Sequence, residues 1–117
     1  MSKTVKDQEF VENDLISFED VPGNDAMKRK ILAYSDSLMC VENYFKSGAA
    51  APLHSHPHTQ IAYIVEGVFE FDADGKKYIL KKGDSLFLKS NVLHGVKTIE
   101  KGIVLDVFNP MREDFVK

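Results

Sequence analysis

Apolar and polar positions alternate over short stretches through most of this chain, and turn-forming residues separate the stretches at intervals of about eight residues. Residues 16–19, 28–34, 38–46, 61–65, 68–72, 77–81, 85–89 and 103–109 read as strands. The clusters Val21-Pro22-Gly23-Asn24-Asp25, Ser47-Gly48, Asp74-Gly75 and Lys82-Gly83-Asp84 supply turns. Gly67 closes one run, Gly95 interrupts another, and Gly102 opens the last strand, which Pro110 ends. No stretch of useful length carries a helical period. Short strands with regular turns predict an all-β, antiparallel sandwich or barrel. Residues 1–13 are expected to form a tail or a peripheral strand, and 14–117 the barrel. Stretches 61–65 and 103–108 are apolar at both parities, so one face lines the interior and the other needs a second sheet or subunit. A homodimer is expected.

Composition narrows the setting. A chain of 117 residues supports one core and one domain. Its net charge of −3 gives no electrostatic footprint for nucleic acid or an anionic membrane. No segment approaches the roughly 20 apolar residues of a membrane helix, and residues 1–12 lack the apolar core of a signal peptide. A cytoplasmic location is expected. The single cysteine, Cys40, excludes an internal disulfide and reads as a buried thiol.

The densest chemistry is His54-Ser55-His56-Pro57-His58-Thr59-Gln60. Side chains two apart in an extended segment share a face, so His54, His56 and Gln60 can converge while Ile61, Tyr63 and Val65 point away. Buried polar groups need partners, and a divalent metal would satisfy all three at once. Imidazole nitrogens and an amide oxygen suit Zn, Ni, Fe or Cu. His58 shares the parity but follows the Pro57 bend, and is expected beside the site or at the surface. The aromatics Phe69, Phe71, Tyr78 and Phe87 read as core or interface.

Asp106 lies mid-strand on the face shared with Val104 and Phe108. A carboxylate there must be paired, hydrogen-bonded or protonated, conditions that also raise a carboxyl pKa toward proton-transfer chemistry. On the residues alone, an ion pair with Arg112 and a catalytic role are equally compatible. Arg112 follows Pro110 and can fold over the barrel mouth, to bind a carboxylate or to pair with Glu113 or Asp114. Phe108 would stack on a ligand or fill the core.

The chain resembles the cupin superfamily of small double-stranded β-helix (jelly-roll) barrels. Gly48, His54, His56, Gln60 and Gly67 fall at the spacing of the first cupin motif, with Gln60 where most members carry Glu. Gly83 and His94 fit the second, while Lys89, Asn91 and Thr98 replace its usual Pro, Gly and Asn. Residues 28–34, 54–60 and 105–115 are similar to the KdgF-type cupins of pectin and alginate catabolism. That resemblance implies one divalent transition metal per subunit (Ni, Fe, Mn or Zn) on His54, His56, Gln60 and His94. It implies a sugar-acid substrate, a 4,5-unsaturated uronate whose ring is opened, and roles in activity for Asp106, Phe108 and Arg112. An Fe(II) dioxygenase and a non-catalytic sugar-acid sensor are the alternatives that the same ligand set allows.

Overall fold

The computed structural model describes residues 3–116. Eight strands account for nearly all its regular structure: β1 Glu19–Val21, β2 Asn24–Tyr34, β3 Met39–Phe45, β4 Ala50–His54, β5 Thr59–Ala73, β6 Lys76–Lys81, β7 Ser85–Leu88 and β8 His94–Asn109. Two short 3-10 turns, Asn13–Leu15 and Glu113–Phe115, flank them, and no described helix is long and apolar enough to cross a membrane.

β5 and β8 are the frame. They run antiparallel along their whole lengths, from Thr59 opposite Asn109 to Ala73 opposite His94. Each then carries a different neighbour on each half: β3 and β4 along β8, β7 and β6 along β5. The order β1-β2-β3-β8-β5-β7 on one half and β4-β8-β5-β6 on the other gives two layers joined through two bent strands. Their inner faces meet in a core that includes Met27, Phe45, Ile64, Phe69, Phe71, Leu80 and Val104. The rings of Phe45 and Phe69, from opposite layers, cross edge-to-face at 5.2 Å.

The expected all-β jelly roll is present, but three of its expected breaks are not. Gly67 and Gly102 lie inside β5 and β8 rather than at strand ends, and Gly95 lies within β8. The register shifts between Ile64 and Phe69 mark where the paired strands bend. Backbones approach so closely there that a Cβ on Gly102 would stand 1.9 Å from the Glu66 carbonyl oxygen. Glycine at 67 and 102 therefore marks a bend within a ladder, not its termination, and Gly95 lies against the β4 backbone at Ala51–Leu53. At the start of the barrel, strand structure falls on Glu19–Val21 and the Pro22-Gly23 turn leads straight into an eleven-residue β2.

Alternation assigns the faces as expected in β8, where Val104, Asp106 and Phe108 point inward. Ile61, Tyr63, Val65 and Phe87 lie exposed on the outer side. Tyr78 is exposed as well, and Cys40 is half-buried rather than buried, since β3 turns Met39 and Val41 inward at the opposite parity. Among residues 3–13, Thr4 is buried with its hydroxyl donating to the Ile31 carbonyl, and the Asp7 amide donates to Tyr34.

Candidate active site

Two strand ends and one connection bring the histidines together. His54 ends β4 directly opposite His94, which begins β8. His56 reaches the same point from the connection that leads into β5. One ring nitrogen from each lies within 4.8 Å of the others. The three rings share one hydrogen-bonding pattern. Nδ1 of His54 faces the Pro52 carbonyl at 2.8 Å, Nδ1 of His94 faces Val92 at 2.9 Å, and Nδ1 of His56 faces His58 at 3.1 Å. A carbonyl can only accept, so each Nδ1 carries a proton, and it is Nε2 that a neutral ring would offer as a lone pair. This is the outer arrangement that fixes metal-binding imidazoles.

Gln60 supplies the sharpest test of the donor set. Its amide nitrogen donates to Asp106 Oδ1 at 2.8 Å, which turns Oε1 toward His56 Nε2 at 3.1 Å. With Nδ1 already donating, a proton on that Nε2 would make His56 an imidazolium. Burial, followed by the charges of Arg112 and His94, pushes its pKa down to about 4. Near neutral pH two acceptors therefore face one another, and a shared cation resolves the conflict. Two donors each about 2.1 Å from one ion stand about 3 Å apart at a right angle. The residues fit a divalent metal, and imidazole with a neutral amide oxygen favours a transition ion.

Asp106 sits behind this cluster, buried on the inner face of β8. It has no ion pair with Arg112. Its two oxygens accept from the Gln60 amide at 2.8 Å and the Asn43 amide at 2.7 Å. Burial pushes its carboxyl up to about 7 against the pull of those amides and of Arg112 and Arg29. Such a group is divided between acid and base at neutral pH.

Phe108, two residues along the same face, is buried and lies edge-on to His56 at 5.8 Å. Arg112 lies over Phe108 at 5.1 Å and Phe115 at 4.3 Å, and its Nε and Nη2 pair with Asp114 at 3.2 and 3.1 Å. His58 stands outside the three-histidine cluster. Its Nε2 meets the Met111 carbonyl at 3.1 Å, tying down the segment that carries Arg112. A cavity of about 370 Å³ opens onto His54, His94, Gln60, Asp106, Phe108 and Arg112, with apolar walls from Phe45, Phe71 and Val104. That size is within the range of small-molecule sites.

Two inward-facing polar residues at this cavity carry no role in the sequence reading, Arg29 and Asn43. Both gave the same signal as Asp106. Asn43 stands between inward Val41 and Phe45 in β3, and Arg29 between Met27 and Ile31 in β2, a polar group within an apolar alternation.

The opposed shifts of Asp106 and His56 make a stability prediction for metal-free protein. Asp106 holds a proton in the native state that the unfolded chain releases above its ordinary 3.8, so its contribution to stability falls as pH rises from about 4 to 7. His56 lacks in the native state a proton that the unfolded chain keeps below 6.5, so its contribution rises from about pH 4 to 6.5. The two oppose each other in wild type. Metal-free Asp106→Asn should show a melting temperature that climbs with pH across this window more steeply than wild type. Parallel curves would mean that Asp106 is ionised in both states.

An all-β barrel with convergent histidines at the start of its paired central strands defines the class. Residues 43–108, just over half of the chain, match the Cupin domain family, and the chain belongs to that family. Within it, the chain is 47% identical over 94 residues to the pectin degradation protein KdgF of Dickeya dadantii (strain 3937), covering 79% of this chain and 86% of that one. The structure of KdgF from Halomonas sp. superposes with a TM-score of 0.87 at 34% identity, covering 92% of this chain and 98% of that one. An RmlC-like cupin from Shewanella frigidimarina NCIMB 400 gives a TM-score of 0.88 at 38% identity, covering 92% and 96%.

Proposed function

We propose that this protein opens the ring of 4,5-unsaturated uronate monomers, from pectin or alginate, to the linear 4-deoxy-5-keto-uronate. One divalent transition metal per subunit would be held by His54, His56, Gln60 and His94. The observation that carries this reading is the Gln60 amide, which touches the histidine cluster through Oε1 and the buried carboxyl of Asp106 through Nε2. A metal-binding centre and a proton-transfer group are thereby joined through one side chain. The substrate class comes from the likeness to KdgF, a pectin degradation protein.

A bound divalent ion supplies Lewis acidity toward oxygen anions, undiminished because its four protein ligands are neutral. The chain's own residues do the rest. Asp106, directly or through a water, takes the proton of the anomeric hydroxyl as the C1–O5 bond breaks and the C1 aldehyde forms. The electron pair moves onto the C5 oxygen as an enolate, and delivery of a proton to C4 gives the ketone. Substrate and product are isomers, with one proton moved from oxygen to carbon. Phe108 forms part of the apolar cavity wall beneath Arg112, and Arg112, whose Nη1 is outside the Asp114 pair, helps hold the carboxylate. The reading includes a homodimer through the exposed outer face around Ile61, Tyr63 and Phe87, and a cytoplasmic location for a catabolic monomer.

The test follows the conjugated C4=C5 bond by ultraviolet absorbance. Protein loaded with Ni, Fe, Mn or Zn should consume the chromophore faster than a matched blank, and His54→Ala should return the rate to that of the blank. If no metal gives acceleration over spontaneous opening, the reading fails.

A further inference from the structure

We propose that Arg29 is a substrate-binding residue, the free guanidinium that receives the substrate's carboxylate. The inference rests on the uronate reading above. Arg29 in β2 stands opposite Asn43 in β3, and Asn43 stands opposite Val104 in β8. Asn43 in turn donates to Asp106. Arg29 is thus one strand from the carboxyl's clamp, and it lines the cavity that holds the histidines, Gln60 and Arg112.

No carboxylate pairs directly with the guanidinium, although Glu19 stands opposite it in the β1–β2 ladder. Three carboxylates act on Arg29 through space, Asp114, Glu19 and Asp106, and each is engaged elsewhere. Asp114 accepts from Arg112, Glu19 lies 3.6 Å from Lys3, and Asp106 accepts from Gln60 and Asn43. Among the described residues Arg29 has no ion pair, and its Nε is buried without a hydrogen-bond partner. A buried donor left in this state costs stability.

The guanidinium is also held in place without an anion. Its Cζ lies 3.6 Å from the centre of the Phe115 ring, the ring that Arg112 meets at 4.3 Å. Stacking fixes the plane of the fork while leaving its edge available for hydrogen bonds. Of the two guanidiniums at the cavity, Arg112 has Nε and Nη2 taken by Asp114 and only Nη1 outside that pair, whereas Arg29 has no carboxylate partner. A small ligand carrying one carboxylate supplies what Arg29 lacks, whereas a neutral sugar does not.

The experiment compares metal-loaded wild type, Arg29→Gln and Arg29→Lys in two measurements. Calorimetric titration with galacturonate, a saturated uronate that has no C4=C5 bond to react, is set against galactose. Steady-state kinetics with the unsaturated uronate are run beside it, and melting temperatures check the fold. Wild type should prefer galacturonate to galactose. Arg29→Gln should weaken galacturonate binding roughly 10- to 100-fold and abolish the preference. KM should rise more than kcat falls, and Arg29→Lys should recover part of the loss. Arg29→Gln that melts like wild type and binds galacturonate equally well overturns the role of Arg29 while leaving the uronate reading standing. Equal losses for both sugars in that variant also overturn it, as a packing effect. A wild type that neither prefers galacturonate nor accelerates ring opening overturns the uronate reading, and this inference with it.

Discussion

Asp106→Asn lowers turnover of unsaturated uronate by about 10²- to 10⁴-fold, the usual worth of a positioned acid–base group, while metal content stays at the wild-type level. The expectation depends on how the amides around residue 106 re-pair. In the native site both carboxyl oxygens accept, one from Gln60 and one from Asn43. Asparagine offers one acceptor and one donor, so one neighbour must turn. Gln60 is constrained at its far end by His56 Nε2. Asn43 can present its own carbonyl to the new amide. The carbonyl of the introduced asparagine then takes the Gln60 hydrogen bond, Oε1 keeps its aim at the histidines, and the ligand set survives. Metal analysis and the chromophore assay are to be run on the same sample. Full metal with turnover within tenfold of wild type would remove Asp106 from the proton transfers. Loss of metal would instead identify Gln60 as the side chain that turned.

The parts of this site legible in the sequence were those written as departures from a strand's alternation. His54, His56 and Gln60 interrupt the approach to an apolar strand at even spacing, and Asp106 interrupts one at its middle. His94 was legible only through the family pattern, because a lone histidine before a glycine carries little signal by itself. Arg29 and Asn43 obeyed the same rule as Asp106 but sat in stretches rich in other polar residues, where an inward charge does not stand out. The side-chain partner of Asp106 was a different matter. Arg112 looked available from sequence, yet Asp114, two residues on, reaches its guanidinium, and cross-strand amides reach Asp106. Local pairing and strand register decided between candidates that composition leaves equal. The long strands were hidden for a related reason. A glycine in a turn and a glycine where two ladders touch are the same letter, and only the partner strand distinguishes them.

That distinction sets the other large expected effect, on the fold itself. Gly102→Ala should destabilise the protein by more than about 4 kcal/mol, the range reserved for direct structural conflict. A Cβ at this position would meet the Glu66 carbonyl oxygen at 1.9 Å, the Glu66 carbonyl carbon at 2.4 Å and the Gly67 Cα at 2.7 Å. All three are backbone atoms, so no rotamer change relieves the contact, and β5 must separate from β8 at their bend. The φ of Gly102 is outside the left-handed region, which makes the effect steric. Gly48→Ala is the control. Its φ of +76° strains an alanine, but nothing lies within 4 Å of the added carbon, so the cost should be about 1–2 kcal/mol. At roughly 4 °C per kcal/mol for a domain near this size, Gly102→Ala should melt about 15 °C or more below wild type, if it folds at all. The site should suffer with the fold. Gln60 and Asp106 lie on one side of the bend and His94 on the other, so a separated β5–β8 ladder misplaces His94 relative to Gln60. Denaturant unfolding and metal titration of the two variants check both halves. Equal stability for Gly102→Ala and Gly48→Ala would mean that the ladders can part at the bend without loss, and that the close approach of β5 and β8 is not what holds the halves of the site together.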